Sequence, residues 1–89
     1  MVSERKAYDI ANSYVSENKK GKHVSSMGDV GTAYFFTLDC PDGTTCSEDG
    51  ILVQKGTGEV SEMAALTAMI EFESDTIIDI ADFQTEENT

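Results

Sequence analysis

The residues of this 89-residue chain with chemical potential are a pair of cysteines, a single histidine and a large surplus of carboxylates. Cys40 and Cys46 flank Pro41-Asp42-Gly43, a turn-forming run that would bring the two thiols together. Their spacing is not the C-x₂-C of zinc sites, and no second pair exists to complete one. Reduced loop thiols are the expectation, because no export signal is visible; a disulfide stays open. Asp39, Asp42, Glu48 and Asp49 crowd the same stretch, but not in the D-x-[DN]-x-[DN]-G order of a calcium loop. His23 follows a basic segment beside Gly21, where solvent exposure is the default. No Gly-x-Ser-x-Gly elbow, HExxH helix or phosphate-cradling glycine loop is present. A glycosidase-type carboxylate pair would need a cleft that so short a chain rarely encloses. The expectation is a non-catalytic protein with no cofactor and no metal.

The carboxylates point elsewhere. There are 17 acidic residues against 6 basic, a formal charge of −11 at pH 7. Such a surface repels nucleic acid and anionic lipid, and no apolar run approaches the length of a membrane span. The imbalance is also uneven. The segment ending at Lys22 is net positive, whereas beyond it Lys55 is the only base. An acidic surface meeting a basic protein is one reading; plain solubility is the other. For the first, the candidate partner-binding carboxylates are Glu59, Glu62, Glu71, Glu73, Asp75, Asp79 and Asp82. They would act by occlusion, standing against the Lys and Arg of a nuclease-type partner.

Those residues need elements to position them. Ala7, Ile10, Ala11, Tyr14 and Val15 fall on one helical stripe, which predicts a helix over 3–20. Ser3 can cap it, Lys19 and Lys20 suit its negative end, and Gly21 its termination. A short strand is expected after His23, and a firm one over Ala33–Leu38, whose aromatic residues suit a pleated surface. The stretch 39–50, with the only proline, reads as a loop. Ile51–Lys55, the Gly56-Thr57-Gly58 turn and Glu59–Met63 read as a hairpin. Beyond it the periodicity is mixed. Met63, Leu66, Met69 and Ile70 favour a helix over about 64–73, whereas Ile78 and Ile80 alternate with Asp79, leaving 64–83 open between helix and strand. Residues 84–89 form a polar tail expected to fray.

The expected fold is α+β, a single domain over 1–83. Its N-terminal helix packs on a small antiparallel sheet of three or four strands, followed by a C-terminal helical or mixed segment. Ile10, Tyr14, Phe35, Leu52 and Val53 are the expected core.

Three segments carry a likeness. Ala7-Tyr8-Asp9-Ile10-Ala11-Asn12-Ser13-Tyr14-Val15, Ala33-Tyr34-Phe35-Phe36 and Gly50-Ile51-Leu52-Val53-Gln54-Lys55-Gly56-Thr57-Gly58-Glu59-Val60 together resemble the YrhB-like, immunity protein 35 family. The resemblance spans about residues 7–73 and implies a helix-on-sheet fold and a role in neutralising a polymorphic toxin. Ala33 stands where that family usually has Trp, and Ser47-Glu48-Asp49-Gly50 replaces its Gly-Asn-x-Pro segment. Thr57, Gly58 and Glu59 match as turn residues, so no binding residue is carried over. The expected function is an acidic, cytoplasmic immunity-type or inhibitor protein, monomeric or homodimeric, that occludes a basic protein partner. The alternatives are a PepSY- or cystatin-like accessory module, a homodimer built on an open sheet edge, and a phage-type DNA mimic.

Overall fold

The computed structural model describes residues 1–72, 76–81 and 83, with residues 45–48 and Met69 described through their backbone alone. The tail 84–89 and the candidate carboxylates Glu73, Asp75 and Asp82 lie outside the described residues.

Helix α1 spans Glu4–Asn18. Ser3 caps it, its Oγ accepting from the Lys6 N–H at 3.1 Å, and Glu4 sits in the first turn, where the helix dipole favours an acid. Ala7, Tyr8, Ala11 and Val15 form its buried stripe. Ile10 and Tyr14, expected in the core, instead border it as partly buried side chains. The helix ends at Asn18, two residues before the expected end at Lys20: Lys19 leaves helical geometry at φ −130° and ψ 63°.

Five strands follow: β1 His23–Asp29, β2 Ala33–Asp39, β3 Thr45–Gln54, β4 Val60–Glu62 and β5 Thr76–Ile78, with helix α2 (Ala65–Glu71) between the last two. They form one sheet in the order β4-β3-β2-β1-β5, every neighbouring pair antiparallel. The sheet thus has five strands rather than the three or four expected. The added strand is β5, from the ambiguous segment: Ile78 pairs with Met27 and packs against the main core, and Ile77 pairs with Gly28. The loop expected over 39–50 is likewise shorter. The Cys40 N–H donates to the Thr44 carbonyl at 2.7 Å, closing a tight turn, and β3 begins at Thr45 opposite Asp39. Polar composition concealed that hairpin. The second hairpin is as expected, with the Gly58 N–H donating to the Gln54 carbonyl at 2.8 Å.

Strand alternation divides the apolar residues between two faces. Val24, Met27, Tyr34, Phe36, Leu38, Ile51 and Val53 pack with α1 in the main core. Ala33, Phe35 and Leu52 point the other way, where Ala68 of α2 packs on them and Met63, Ala65 and Phe72 border the cluster. Gly50 permits that second layer. A Cβ there would lie 2.5 Å from the Phe35 ring and closer still to the Met63 carbonyl oxygen, and the Met63 N–H donates to the Gly50 carbonyl at 3.0 Å.

Candidate functional site

The C-terminal end of α1 hangs over the β3–β4 edge, and charged side chains meet there. The Lys19 Nζ lies 2.5 Å from Glu62 Oε1 and 3.4 Å from Asp49 Oδ1, and the Lys22 ammonium pairs with the other Asp49 oxygen. The Tyr14 hydroxyl donates to Glu62 Oε2 at 2.6 Å. Lys19, and after it the Tyr14 hydroxyl, hold the Glu62 carboxyl below its ordinary range. Lys22 holds Asp49 down in the same way. In return, Glu62 raises both the Tyr14 phenol and the Lys19 ammonium. The sequence reading gave the bases near residue 20 to the helix dipole; Lys19 and Lys22 instead form a charged staple between α1 and the sheet.

At the opposite end of the sheet, the Lys55 Nζ sits 2.7 Å from Asp29 Oδ1 and 4.9 Å from the centre of the Tyr34 ring. Lys55, with the Gly31 N–H behind it, depresses the Asp29 carboxyl. On α1, Arg5 pairs with Asp9 at 3.4 Å and lies 5.8 Å over the Phe83 ring. Arg5, Lys19, Lys22 and Lys55 are therefore all engaged by carboxylates of the chain itself.

The described candidate carboxylates separate into two kinds. Glu62 belongs to the staple. Glu59, beside the β3–β4 turn, and Glu71, the last residue of α2, are exposed, and neither has a cation at ion-pair distance among the described residues. Asp79 is exposed just past β5, its Oδ1 accepting the Ala81 N–H at 2.9 Å. These residues do not share one spot. Glu62 and Asp79 belong to opposite edges of a five-stranded sheet, roughly 19 Å apart at the usual strand spacing.

Apolar side chains accompany the free acids. Leu66 and Ile70 on α2 and Ile77 on β5 are exposed by 66, 78 and 82 %. Sequence reasoning did not single out Ile77; its signal is a β-branched residue directly opposite Gly28, which offers no side chain to cover it.

His23 Nε2 lies 3.5 Å from Asp39 Oδ2, with the histidine 64 % exposed. The nearby Ser25 and Ser26 hydroxyls both bond to Thr37 Oγ1, at 2.8 and 2.5 Å. A cleft of about 430 Å³ at the end of α1 is lined by Lys19, Lys20, Lys22 and His23, but two of those lysines already face Asp49. Among the described residues no group of His, Cys, Asp and Glu is placed to hold a metal, and no helix is long and apolar enough to cross a membrane. Cys40 is disulfide-bonded, not the reduced thiol expected, and Cys46 is the only other cysteine in the sequence. The turn that closes at Cys40 supplies the physical reason, since it folds the chain back on itself. No protein family, curated protein or solved structure matches the chain.

Proposed function

We propose that this chain is a non-catalytic acidic binding protein, of the immunity or inhibitor kind, that occludes a basic protein partner such as a nuclease toxin. The observation that carries the reading is where the chain's own cations lie. Arg5, Lys19, Lys22 and Lys55 are held by internal carboxylates, so the net charge of −11 falls on acids such as Glu59 and Glu71 that face solvent uncompensated. An uncompensated field of that sign speeds encounter with a cationic surface and rejects nucleic acid. The likeness to the YrhB-like, immunity protein 35 family favours the same role. A DNA-mimic inhibitor would use the same physics.

The cytoplasmic location expected from the sequence has the Cys40 disulfide against it, because such bonds persist in oxidising compartments. A homodimer is a second reading, favoured by the open edges of β4 and β5, but the charge of each copy opposes it.

The test is affinity capture on the immobilised chain at low salt, repeated at about 0.5 M, where the screening length falls to a few ångström. A basic protein identified at low salt and lost at high salt supports the proposal. An unchanged set of captured proteins, or a set with no basic member, overturns it.

A further inference from the structure

On the sheet face that carries α2, strand pairing sets a row across the molecule: Ser61, Leu52, Phe35, Gly28 and Ile77 are successive cross-strand neighbours. Helix α2 covers its middle, with Ala68 on Phe35 and Leu52. The end of the row is uncovered: Ile77 is 82 % exposed, and Leu66 and Ile70, one helical turn apart on α2, are exposed on the same side of the sheet. Strand β5 is terminal in the sheet order, so its outer edge has no strand partner among the described residues. Exposed acids bracket this apolar ground, Glu71 directly after Ile70 and Asp79 directly after Ile78.

We infer that the β5 edge and the outer side of α2 form a docking surface for a cationic amphipathic segment of a partner protein. That segment adds as a strand beside β5, sets an apolar side chain on Ile77, and turns Lys or Arg toward Glu71 and Asp79. Strand addition supplies the backbone hydrogen bonds, and alternate side chains supply the selectivity. Charge selects the occupant. A second copy brings another −11 to the same place and is disfavoured. A purely cationic chain would leave Leu66, Ile70 and Ile77 in water, forgoing the apolar contribution. The inference rests on the acidic-binding reading and narrows it to one surface.

Two probes separate the inference from that reading: a short peptide alternating Val with Lys, and oligolysine of equal charge, each titrated at low salt against the full chain. The alternating peptide should bind at least tenfold more tightly than oligolysine, roughly the worth of one buried Ile side chain. Ile77→Ser and Ile70→Ser should abolish that advantage and leave oligolysine binding unchanged. Equal affinities for the two probes, or an advantage that survives both substitutions, overturns the docking surface while the acidic-binding reading stands. Failure of both probes to bind overturns the two together. Dimerisation of the chain that Ile77→Ser abolishes assigns the edge to a second copy and overturns the inference. Should a serine variant fail to fold, Ile77→Thr keeps the β-branch and removes apolar surface, with the same outcomes expected.

Discussion

The Lys19 ammonium lies 2.5 Å from Glu62 Oε1 while the Tyr14 hydroxyl donates to the other oxygen of the same carboxylate at 2.6 Å. Tyr14 of α1 and Lys19, the residue just past its end, thus hold a single acid on the edge strand β4. Asp49 extends the grip to β3 through Lys19 and Lys22. Lys19, which from the sequence suits the helix dipole, instead joins Lys22 in clamping the sheet to the end of α1, and Glu62 is part of that clamp. What remains for a partner is the set of acids without such contacts, with Leu66, Ile70 and Ile77 among them.

The staple should show itself in acid. Glu62 has a folded pKa below its unfolded one, through Lys19 first and Tyr14 second. Protons therefore bind the unfolded chain preferentially, and the carboxylate's contribution is complete above about pH 5 and lost as pH falls through the folded pKa. Its side chain is 43 % exposed, so solvent screening limits the loss in Glu62→Gln to at most about 1 kcal/mol at neutral pH. Urea unfolding should find the variant less stable than wild type at pH 7 and the gap shrinking as pH falls through the folded pKa of Glu62. A gap that stays constant with pH would assign the loss to something other than ionisation.

A second expectation concerns Gly50. A methyl group there meets the Phe35 ring and the Met63 carbonyl, the latter being backbone that cannot move without dragging the start of α2. Overpacking of this kind should cost about 3 kcal/mol in Gly50→Ala, read by chemical unfolding. Gly56 has open space around it, so Gly56→Ala is the control and should stay within about 0.5 kcal/mol. Equal stabilities of the two variants would mean that the α2 layer does not rest on β3 as described.

Helix α1 was legible because its signals are local: Ser3 at the cap and Ala7, Ala11 and Val15 on one stripe. Strand β2 and the Ile51–Val53 part of β3 were legible because aromatic and β-branched residues crowd them. Strand β5 was not, because three residues are too few for alternation to register and its partner, Met27–Asp29, is distant in sequence. The start of β3 was hidden by polar residues that read as loop. The division among the carboxylates was hidden for a similar reason. Nothing near Glu62 in the sequence announces that Tyr14 and Lys19 lie over it, whereas Glu59, next to the turn, has no such neighbour.

Cys40 is disulfide-bonded at the start of the β2–β3 connection, where its N–H already donates to the Thr44 carbonyl. Constraining the unfolded chain through a disulfide is worth about 2 kcal/mol. Reductant should lower the melting temperature of wild type, and Cys40→Ser should reproduce the lowered value and be insensitive to reductant. Identical melting of wild type with and without reductant would show that the bond contributes nothing to stability.

Glu59 and Glu71 supply the test that separates function from folding. Both are exposed and lack a cationic partner among the described residues, so neither contributes an interaction that folding requires. In a chain of net charge −11, mutual repulsion makes such acids neutral or slightly unfavourable to the compact state. Glu59→Gln and Glu71→Gln should therefore change stability by no more than about 0.5 kcal/mol, in the stabilising direction if at all. Binding should respond in the opposite sense. Glu71 adjoins the exposed Ile70, whereas Glu59 lies beside the β3–β4 turn, across the sheet from β5. Glu71→Gln should weaken capture of a cationic amphipathic peptide and flatten its salt dependence more than Glu59→Gln does. Titration of both variants at two ionic strengths reads the difference directly. Equal losses would spread the attraction over the whole acidic surface instead of placing it at the β5 edge.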